Sequence, residues 1–368
     1  MLVFLNNLFT EIPHKQISIM KLESNKISFL VLGIFILILK NIHAQDVHFS
    51  QYRETPIFVN PGQTGLTKDL RFILNYKDQW RSFVSPYKTF AFSGDIKATK
   101  YKKKENYLGV GFQLFSDKAG DSQMGTVQGS LNLSGIIKTS KHSKLGLGIM
   151  GGIGQHTVNY SKLQWESQYV GSTFDPNSPT GEVQGSTSYI YPDLGAGIAW
   201  TYGKEEIYIS ANNGVHGTVG ISAFHFGLPK YSFYNQTNEK LNTKMVAHGN
   251  IEFGIMNSNL LIAPELYYFR QGAQQEIVFG SVFKYIMQEA SKYTLIKKAS
   301  AVSIGADYRV GDALIASLLY EYSSYAIGIS YDLNMSPLYK ASSFKGGIEV
   351  SIRFVTPNPF NPTRASFK

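Results

Sequence analysis

The fold is decided by the closing segment Gly347-Ile348-Glu349-Val350-Ser351-Ile352-Arg353-Phe354. Apolar side chains occupy every second position, and Glu349, Ser351 and Arg353 occupy the positions between them. Because successive side chains of a strand point to opposite faces, this period of two predicts a β-strand and excludes a helix. A strand with one apolar and one polar face separates an apolar medium from water.

The same alternation recurs along the chain from Leu70 to the closing strand and predicts about fourteen antiparallel strands, an even number typical of an outer-membrane barrel. The predicted fold is therefore all-β, a transmembrane antiparallel β-barrel of the outer-membrane type. In the parity that we assign, one set of residues faces lipid and the other faces the lumen: Leu131, Leu133 and Ile198 outward, and Ser130, Asn132 and Gly197 inward.

A water-soluble antiparallel sandwich also alternates and is the alternative fold. Strands of soluble sheets usually run about five or six residues, whereas a tilted strand needs about nine or more to cross a bilayer. Several segments here keep the alternation for the longer distance. The 34 glycines, 24 phenylalanines and 23 tyrosines also suit a barrel, where aromatic residues form interfacial girdles and glycines relieve crowding.

The beginning of the chain predicts export. Lys21 and Lys26 precede the uncharged run Ile27–Leu39, and Ala44 offers a small residue for cleavage. We therefore expect a signal peptide over 1–44, with 1–19 as a possible upstream extension because Met20 precedes Lys21. The chain has no cysteine, which excludes disulfides and attachment of a lipid through cysteine.

Behind the signal peptide, the expected organisation has three parts. Residues 45–66 form an N-terminal plug or a periplasmic segment, residues 67–355 form the barrel, and residues 356–368 form a C-terminal tail. The formal net charge is +9, but the basic residues are scattered and form no stripe, so nucleic acid is not an expected partner. Membrane lipid is an expected partner of the outer face.

The sequence contains no convincing catalytic, metal-binding or cofactor-binding motif. The stretch Gly146-Leu147-Gly148-Ile149-Met150-Gly151 matches a dinucleotide fingerprint but lies inside an alternating strand with no helix after it. The histidines show no metal-ligand spacing, and no nucleophile elbow is present. We predict no catalytic residue, no metal and no cofactor. Inward carboxylates are instead expected to pair with inward basic residues in a polar lumen: Asp95, Glu252, Glu265, Asp307 and Glu349 with Arg71, Lys97, Arg309 and Arg353.

Two long irregular segments, Gln164 to Ser188 and Pro229 to Asn242, read as loops on the outer side of a barrel. Partners are gripped by aromatic anchors, and the candidates in these loops are Tyr169, Phe174, Tyr231, Phe233 and Tyr234. The alternative is that these loops are passive and their aromatic side chains only shield the rim.

Several separated blocks carry a family resemblance. Gln45-Asp46-Val47-His48-Phe49-Ser50-Gln51-Tyr52 is followed by Asn60-Pro61, and Asn75-Tyr76-Lys77-Asp78-Gln79-Trp80 lies further on. The chain resembles the PorP/SprF family of type IX secretion outer-membrane proteins, with Lys77 where arginine is common. The residues that match the family motifs are Phe49, Ser50, Gln51, Tyr52, Pro56, Asn60, Pro61, Gly65, Tyr76, Gln79 and Trp80.

The resemblance implies a non-enzymatic protein of a Gram-negative outer membrane. Its expected partners are a secreted adhesin with a type IX C-terminal domain and components of the type IX secretion or gliding machinery, and its expected role is to anchor or help deliver that adhesin. The alternative is a channel or transporter for small molecules. A transporter of hydrophobic compounds needs an apolar pocket in the lumen, whereas the inward residues are read here as polar.

Overall fold

A computed structural model describes residues 48–81, 85–98, 106–204, 214–234, 239–289, 298–337 and 339–356. The predicted signal peptide, and all of the predicted tail except Thr356, lie outside these residues. Within the described ranges, no helix is long and apolar enough to cross a membrane.

Sixteen strands are present in the described residues, and fourteen of them form one closed barrel. Their bounds are β1 Leu70–Gln79, β2 Tyr87–Lys97, β3 Tyr107–Ala119, β4 Met124–Lys138, β5 Ser143–Thr157, β6 Tyr169–Val170, β7 Thr173–Phe174, β8 Ser188–Lys204, β9 Val215–Phe224, β10 Lys244–Gly254, β11 Leu260–Gln271, β12 Gln274–Gln288, β13 Ser300–Arg309, β14 Ala313–Tyr322, β15 Tyr325–Asn334 and β16 Lys345–Thr356. Strands β6 and β7 form a separate two-stranded hairpin.

Among the residues that the structure describes, helical structure is limited to short pieces. The α-helices are α1 Pro56–Val59 and α2 Tyr339–Ser342, and the 3-10 turns are Tyr52–Glu54, Pro61–Gln63, Tyr160–Lys162 and Glu166–Gln168. Proline at the first position of α1 suits a helix start, because proline has no N–H to leave unpaired there.

The barrel closes between its first and last strands. Strand β1 pairs antiparallel with β16 from Leu70 opposite Thr356 to Gln79 opposite Gly347. Each of the other neighbours is also antiparallel, as β1 and β2 are. The predicted fold, an antiparallel barrel of about fourteen strands, is confirmed.

The assigned parity is also confirmed where it was specified. On β4, the side chain of Leu131 is 66% exposed and that of Ser130 is 6% exposed. Leu133 and Ile198 likewise point outward, whereas Asn132 is fully buried on the inner face. The alternation therefore reports correctly which residues face away from the lumen.

The two ends of the barrel differ in their connections. One end, which we call the loop end, carries residues 158–187 between β5 and β8 and residues 225–243 between β9 and β10. At the opposite end β1 begins and β16 finishes. The two ends give the reference points for describing how the N-terminal residues run through the molecule.

Candidate functional site

The residues from His48 to Leu66, here called the N-terminal segment, lie inside the barrel. At the loop end, Nδ1 of His48 is 3.4 Å from the Glu276 carboxylate, close to the start of β12. At the opposite end, the Gly65 N–H donates to Oδ2 of Asp95 at 2.8 Å, five residues before β1 begins. Ile57 and Leu66 are fully buried. The segment thus runs through the lumen from the loop end to the opposite end.

The first part of the segment is held by charged side chains of β1, β13 and β15. Oγ of Ser50 donates to Asp332 at 2.7 Å and accepts from Nζ of Lys77 at 2.8 Å and from Nη2 of Arg309 at 3.1 Å. Lys77 also lies 3.4 Å from Asp332. All four side chains are almost completely buried. Because a buried charge is tolerated only when it is paired and hydrogen-bonded, this network depends on the segment being in place.

Glu349 of β16 binds the backbone of the segment. Its carboxylate accepts the N–H of Ser50 at 2.5 Å and the N–H of Gln51 at 3.3 Å. The Gln51 side chain completes this contact, since its amide nitrogen donates to Ser330 at 3.3 Å and its oxygen accepts from Ser351 at 2.7 Å. Contacts of this kind fix the register of the segment along β15 and β16.

Further down the lumen, charges of the segment pair with charges of the barrel. Arg53 forms an ion pair with Glu265 of β11 and donates to the Ala263 carbonyl at 2.7 Å. Glu54 accepts from Arg353 of β16 at 2.5 Å. We call the strands that make these polar contacts, β1, β11 to β13, β15 and β16, the polar wall.

The opposite side of the lumen is lined by glycines of β5, β8 and β9. A Cβ on Gly62 would lie 2.9 Å from the carbonyl oxygens of Gly146 and Gly197, and a Cβ on Gly148 would collide with the backbone of Pro61 and Gly62. Asn60 bridges this surface, with Nδ2 donating to the Ile198 carbonyl at 2.9 Å. Only residues without a side chain allow backbones to approach so closely.

Glycines also allow a close approach of the segment's backbone on β3. A Cβ added to Gly109 would collide with the Thr64 carbonyl, and one on Gly111 would lie 2.9 Å from the Thr64 methyl group. Gly65 has φ of +64°, a conformation that favours glycine. The glycine-lined strands β3, β5, β8 and β9 are called here the glycine wall.

Most predicted family-motif residues come together in this site. Phe49, Ser50, Gln51, Tyr52, Pro56, Asn60, Pro61 and Gly65 all belong to the N-terminal segment and are buried. Tyr76, Gln79 and Trp80 do not join them. Tyr76 is 37% exposed on the outer face of β1, and Trp80 follows the end of β1 with φ of +63°.

Sequence reasoning missed several residues that hold the segment. Glu276 accepts from the Tyr52 hydroxyl and Asp332 accepts from Ser50, and within the segment itself Glu54 accepts from Arg353. The signal was present for the first two, because Glu276 and Asp332 are charged residues on the polar face of alternating strands. It was absent for the glycines, which carry no side chain to classify.

The predicted charge pairs are correct only in part. Arg71 and Asp95 do pair, with Nε to Oδ1 at 2.8 Å. The other basic residues choose different partners: Lys97 contacts Asp69, Arg309 contacts Asp312 and Asp332, and Arg353 contacts Glu54 and Glu321. Glu265 and Glu349 instead bind the segment, while Asp307 is buried on β13 and Glu252 is half-buried on β10. Among these partners only Glu54 belongs to the segment, and the others are carboxylates of the barrel and its connections that the prediction did not include.

The expectation of a uniformly polar lumen is wrong. Met150, Phe224, Val246, Tyr267 and Val278 form one buried apolar cluster with Tyr52 and Val59 of the segment. The physical reason is that the segment covers these inward side chains, so they are removed from water as in a protein core.

The loop-end aromatic residues separate into two groups. Tyr169 and Phe174 pair with each other on the β6–β7 hairpin, with ring centroids 5.5 Å apart. Tyr231 and Phe233 instead pack on His156 at the end of β5, at 5.0 and 5.2 Å. The two long connections touch, since the Tyr234 hydroxyl donates to the Val183 carbonyl at 3.1 Å. Tyr169 and Tyr234 are each 44% exposed, whereas Phe174, Tyr231 and Phe233 are half-buried.

Together, the closed barrel and its apolar outer face define a membrane β-barrel protein with a lumen occupied by its own N-terminal segment. A family model described as the type IX secretion system membrane protein PorP/SprF matches residues 41–354. The chain belongs to this family. The fold and the family support an outer-membrane location and suggest a non-enzymatic role in type IX secretion.

Among solved structures, a TodX monoaromatic hydrocarbon channel deltaS2 mutant is 9% identical with a TM-score of 0.44, over 82% of this chain and 92% of that chain. A KdgM porin in complex with disordered oligogalacturonate is 7% identical with a TM-score of 0.33, over 77% and 99%. CdiB from Acinetobacter baumannii is 8% identical with a TM-score of 0.37, over 78% and 60%. This likeness concerns the barrel fold alone. No curated protein matches the chain.

Proposed function

We propose that the protein anchors, or helps deliver, a large secreted surface adhesin of the type IX system, and that it acts in gliding motility where the cell glides. Family membership supports a role in type IX secretion. In outer-membrane barrels the long loops lie outside the cell and the short turns face the periplasm, so the loop end is taken as the extracellular end.

The observation that carries the proposal is the occupied lumen. The N-terminal segment contacts the polar wall and the glycine wall at once, through Glu349 on one side and Gly148 on the other. With the lumen occupied by the chain itself, we take the loop end as the surface for a secreted partner. Exposed aromatic side chains such as Tyr169 supply the anchors that binding to a protein requires.

The experiment removes the β6–β7 hairpin without disturbing the rest. Its hydrogen bonds lie within the connection between β5 and β8, for example from the Asp175 N–H to the Gln168 carbonyl at 2.8 Å and from the Tyr169 hydroxyl to the Gln164 side chain at 2.8 Å. Oγ of Ser167 donates to the Thr180 carbonyl at 2.5 Å, so these residues can be joined after deletion of residues 168–179. We expect the adhesin to move from the cells into the medium, measured by immunoblotting of both fractions.

A milder variant carries Tyr169→Ser and Phe174→Ser, and Val183→Ser is its matched control because Val183 is 82% exposed in the same connection. Heat-modifiable gel mobility confirms that each barrel folds. Release from the double variant and retention by the control support the proposal. Adhesin that stays on cells in both the hairpin deletion and a strain without the protein contradicts it.

A channel for small molecules is the second candidate, and the inward apolar cluster around Met150 and Phe224 favours it. The two functions differ in conductance. An N-terminal segment that plugs the lumen predicts low single-channel conductance in planar bilayers and a clear rise on deletion of Val47 to Thr64. High conductance of the intact protein would favour the channel.

A further inference from the structure

A cavity of about 120 Å³ lies in the lumen toward the loop end. It is partly open and is lined by the N-terminal segment, by inward residues of β3, β4, β5, β8, β9, β10 and β11, and by the connection that follows β9. The family motifs and the proposed anchoring surface assign nothing to this cavity.

Its size restricts what it can hold. An apolar cavity of about 150 Å³ accepts benzene, whereas pockets for ordinary small ligands measure about 300–1,000 Å³. The walls include the rings of Phe58, Phe115 and Phe224 and the thioether of Met150, which is 3% exposed. One aromatic ring of about benzene size matches this volume, and the lining also includes the polar side chains of Asp193, His225 and Lys244.

Two polar atoms in the cavity wall also require hydrogen-bond partners from a ligand. Oε1 of Gln113 and Oγ of Ser130 are buried and have no hydrogen-bond partner among the described residues. The two residues are directly opposite each other on β3 and β4, so their side chains are neighbours. Nε2 of Gln113 donates to the sulfur of Met150 at 3.0 Å, which leaves Oε1 as the unused acceptor. A buried polar atom without a partner is unfavourable and marks a place where a ligand group completes the pairing.

We propose that this cavity binds a phenol group. The ring lies against the phenylalanines and Met150, and the hydroxyl donates to Oε1 of Gln113 while it accepts from the hydroxyl of Ser130. A phenol satisfies both atoms with one group, whereas a plain benzene ring satisfies neither. The group comes either from a tyrosine side chain of a bound polypeptide or from a free phenolic compound.

The test measures binding to the purified full chain in detergent by isothermal titration calorimetry, with p-cresol and toluene as probes. We expect p-cresol to bind about tenfold more tightly than toluene, the effect of the hydrogen bonds that toluene lacks. Gln113→Leu and Ser130→Ala should each remove most of this preference and leave toluene binding unchanged. Ser134→Ala is the matched control, since Ser134 faces inward on β4, also has an unpaired Oγ, and does not line the cavity.

No binding of p-cresol to the unaltered protein, equal affinities for p-cresol and toluene, or an equal loss in Ser134→Ala overturns the proposal. Heat-modifiable mobility excludes misfolding of the variants.

A second arm identifies the source of the phenol by scoring adhesin retention in cells that carry Gln113→Leu. Adhesin release indicates a tyrosine of the partner, and normal retention indicates a free phenol. Only this arm rests on the proposed function, so a failure of the anchoring role leaves the calorimetric result intact.

Discussion

The polar wall and the glycine wall hold the same segment by different physical means. On the polar wall, side chains such as Glu349 and Lys77 reach out and bind named atoms of Ser50 and Gln51. On the glycine wall, Gly146 and Gly148 contribute no side chain and let the backbone of Pro61 and Gly62 approach directly. On the polar wall, a substitution can remove single hydrogen bonds and leave the others in place. On the glycine wall, any added side chain occupies the space of the segment's backbone and blocks the contact completely.

The largest expected effect therefore comes from the glycine wall. Gly148→Val places a branched side chain where the backbone of Pro61 lies, and backbone cannot rotate away as a side chain can. We expect a cost of about 3 kcal/mol or more, at the upper end of overpacking, and displacement of the segment. Displacement is measured by tryptic cleavage after Arg53, which the barrel otherwise protects.

Gly151→Val is the control for this change. Gly151 lies on the same strand but points outward, where a Cβ meets only Leu194 at 3.9 Å. Equal protection of Arg53 in the two variants would show that the glycine wall does not exclude side chains, and the comparison between the walls would fail.

An intermediate effect is expected from the polar wall. Glu349→Ala leaves the buried N–H groups of Ser50 and Gln51 without their acceptor, at a cost of about 1–3 kcal/mol for each unsatisfied group. Glu349→Gln keeps one acceptor oxygen and should lose less. Urea titration followed by gel mobility gives the two unfolding free energies. If both substitutions cost the same, the carboxylate acts through its charge and not by accepting from the segment.

The smallest effect is expected for Tyr52→Phe. It removes only the hydroxyl that donates to Glu276. The Glu276 carboxylate still lies 3.7 Å from Arg309 and 3.4 Å from His48. The ring stays packed on Tyr267, with centroids 4.8 Å apart. We expect a loss of about 1 kcal/mol in the same titration, the size of one hydrogen bond. A loss as large as that of Glu349→Ala would mean that hydrogen bonds along the polar wall are not separable.

The barrel was predictable because the alternation of apolar and polar residues can be read within each strand alone. Leu131 and Ser130 alternate whatever their neighbours do, so parity follows from local sequence alone. The motif from Phe49 to Tyr52 was also identified, through family resemblance. The interior was not predictable to the same degree, since inward Met150 and Val246 look misplaced until the segment that covers them is known.

The stretch Gly146-Leu147-Gly148 shows a contact that the pattern within one strand does not predict. Its rejection as a nucleotide site rested on the absence of a following helix, and the structure places it in β5. What periodicity did not reveal is that both glycines face Pro61 and Gly62. That contact joins positions far apart in the chain, and no spacing rule relates them. The pairing of Arg353 with Glu54 escaped prediction for the same reason.

The course of the N-terminal segment also constrains the order of assembly. The segment is bonded to β16 through Glu349, to β15 through Asp332 and to β2 through Asp95, and so spans the seam where β1 meets β16. If the cylinder closed first, the segment would have to be threaded into a lumen whose buried carboxylates and lysine still lacked their partners, which is unfavourable. The sheet is more easily curled around the segment while the seam is still open. In this order the N-terminal segment serves as a template for the barrel, and closure of the seam is the last step.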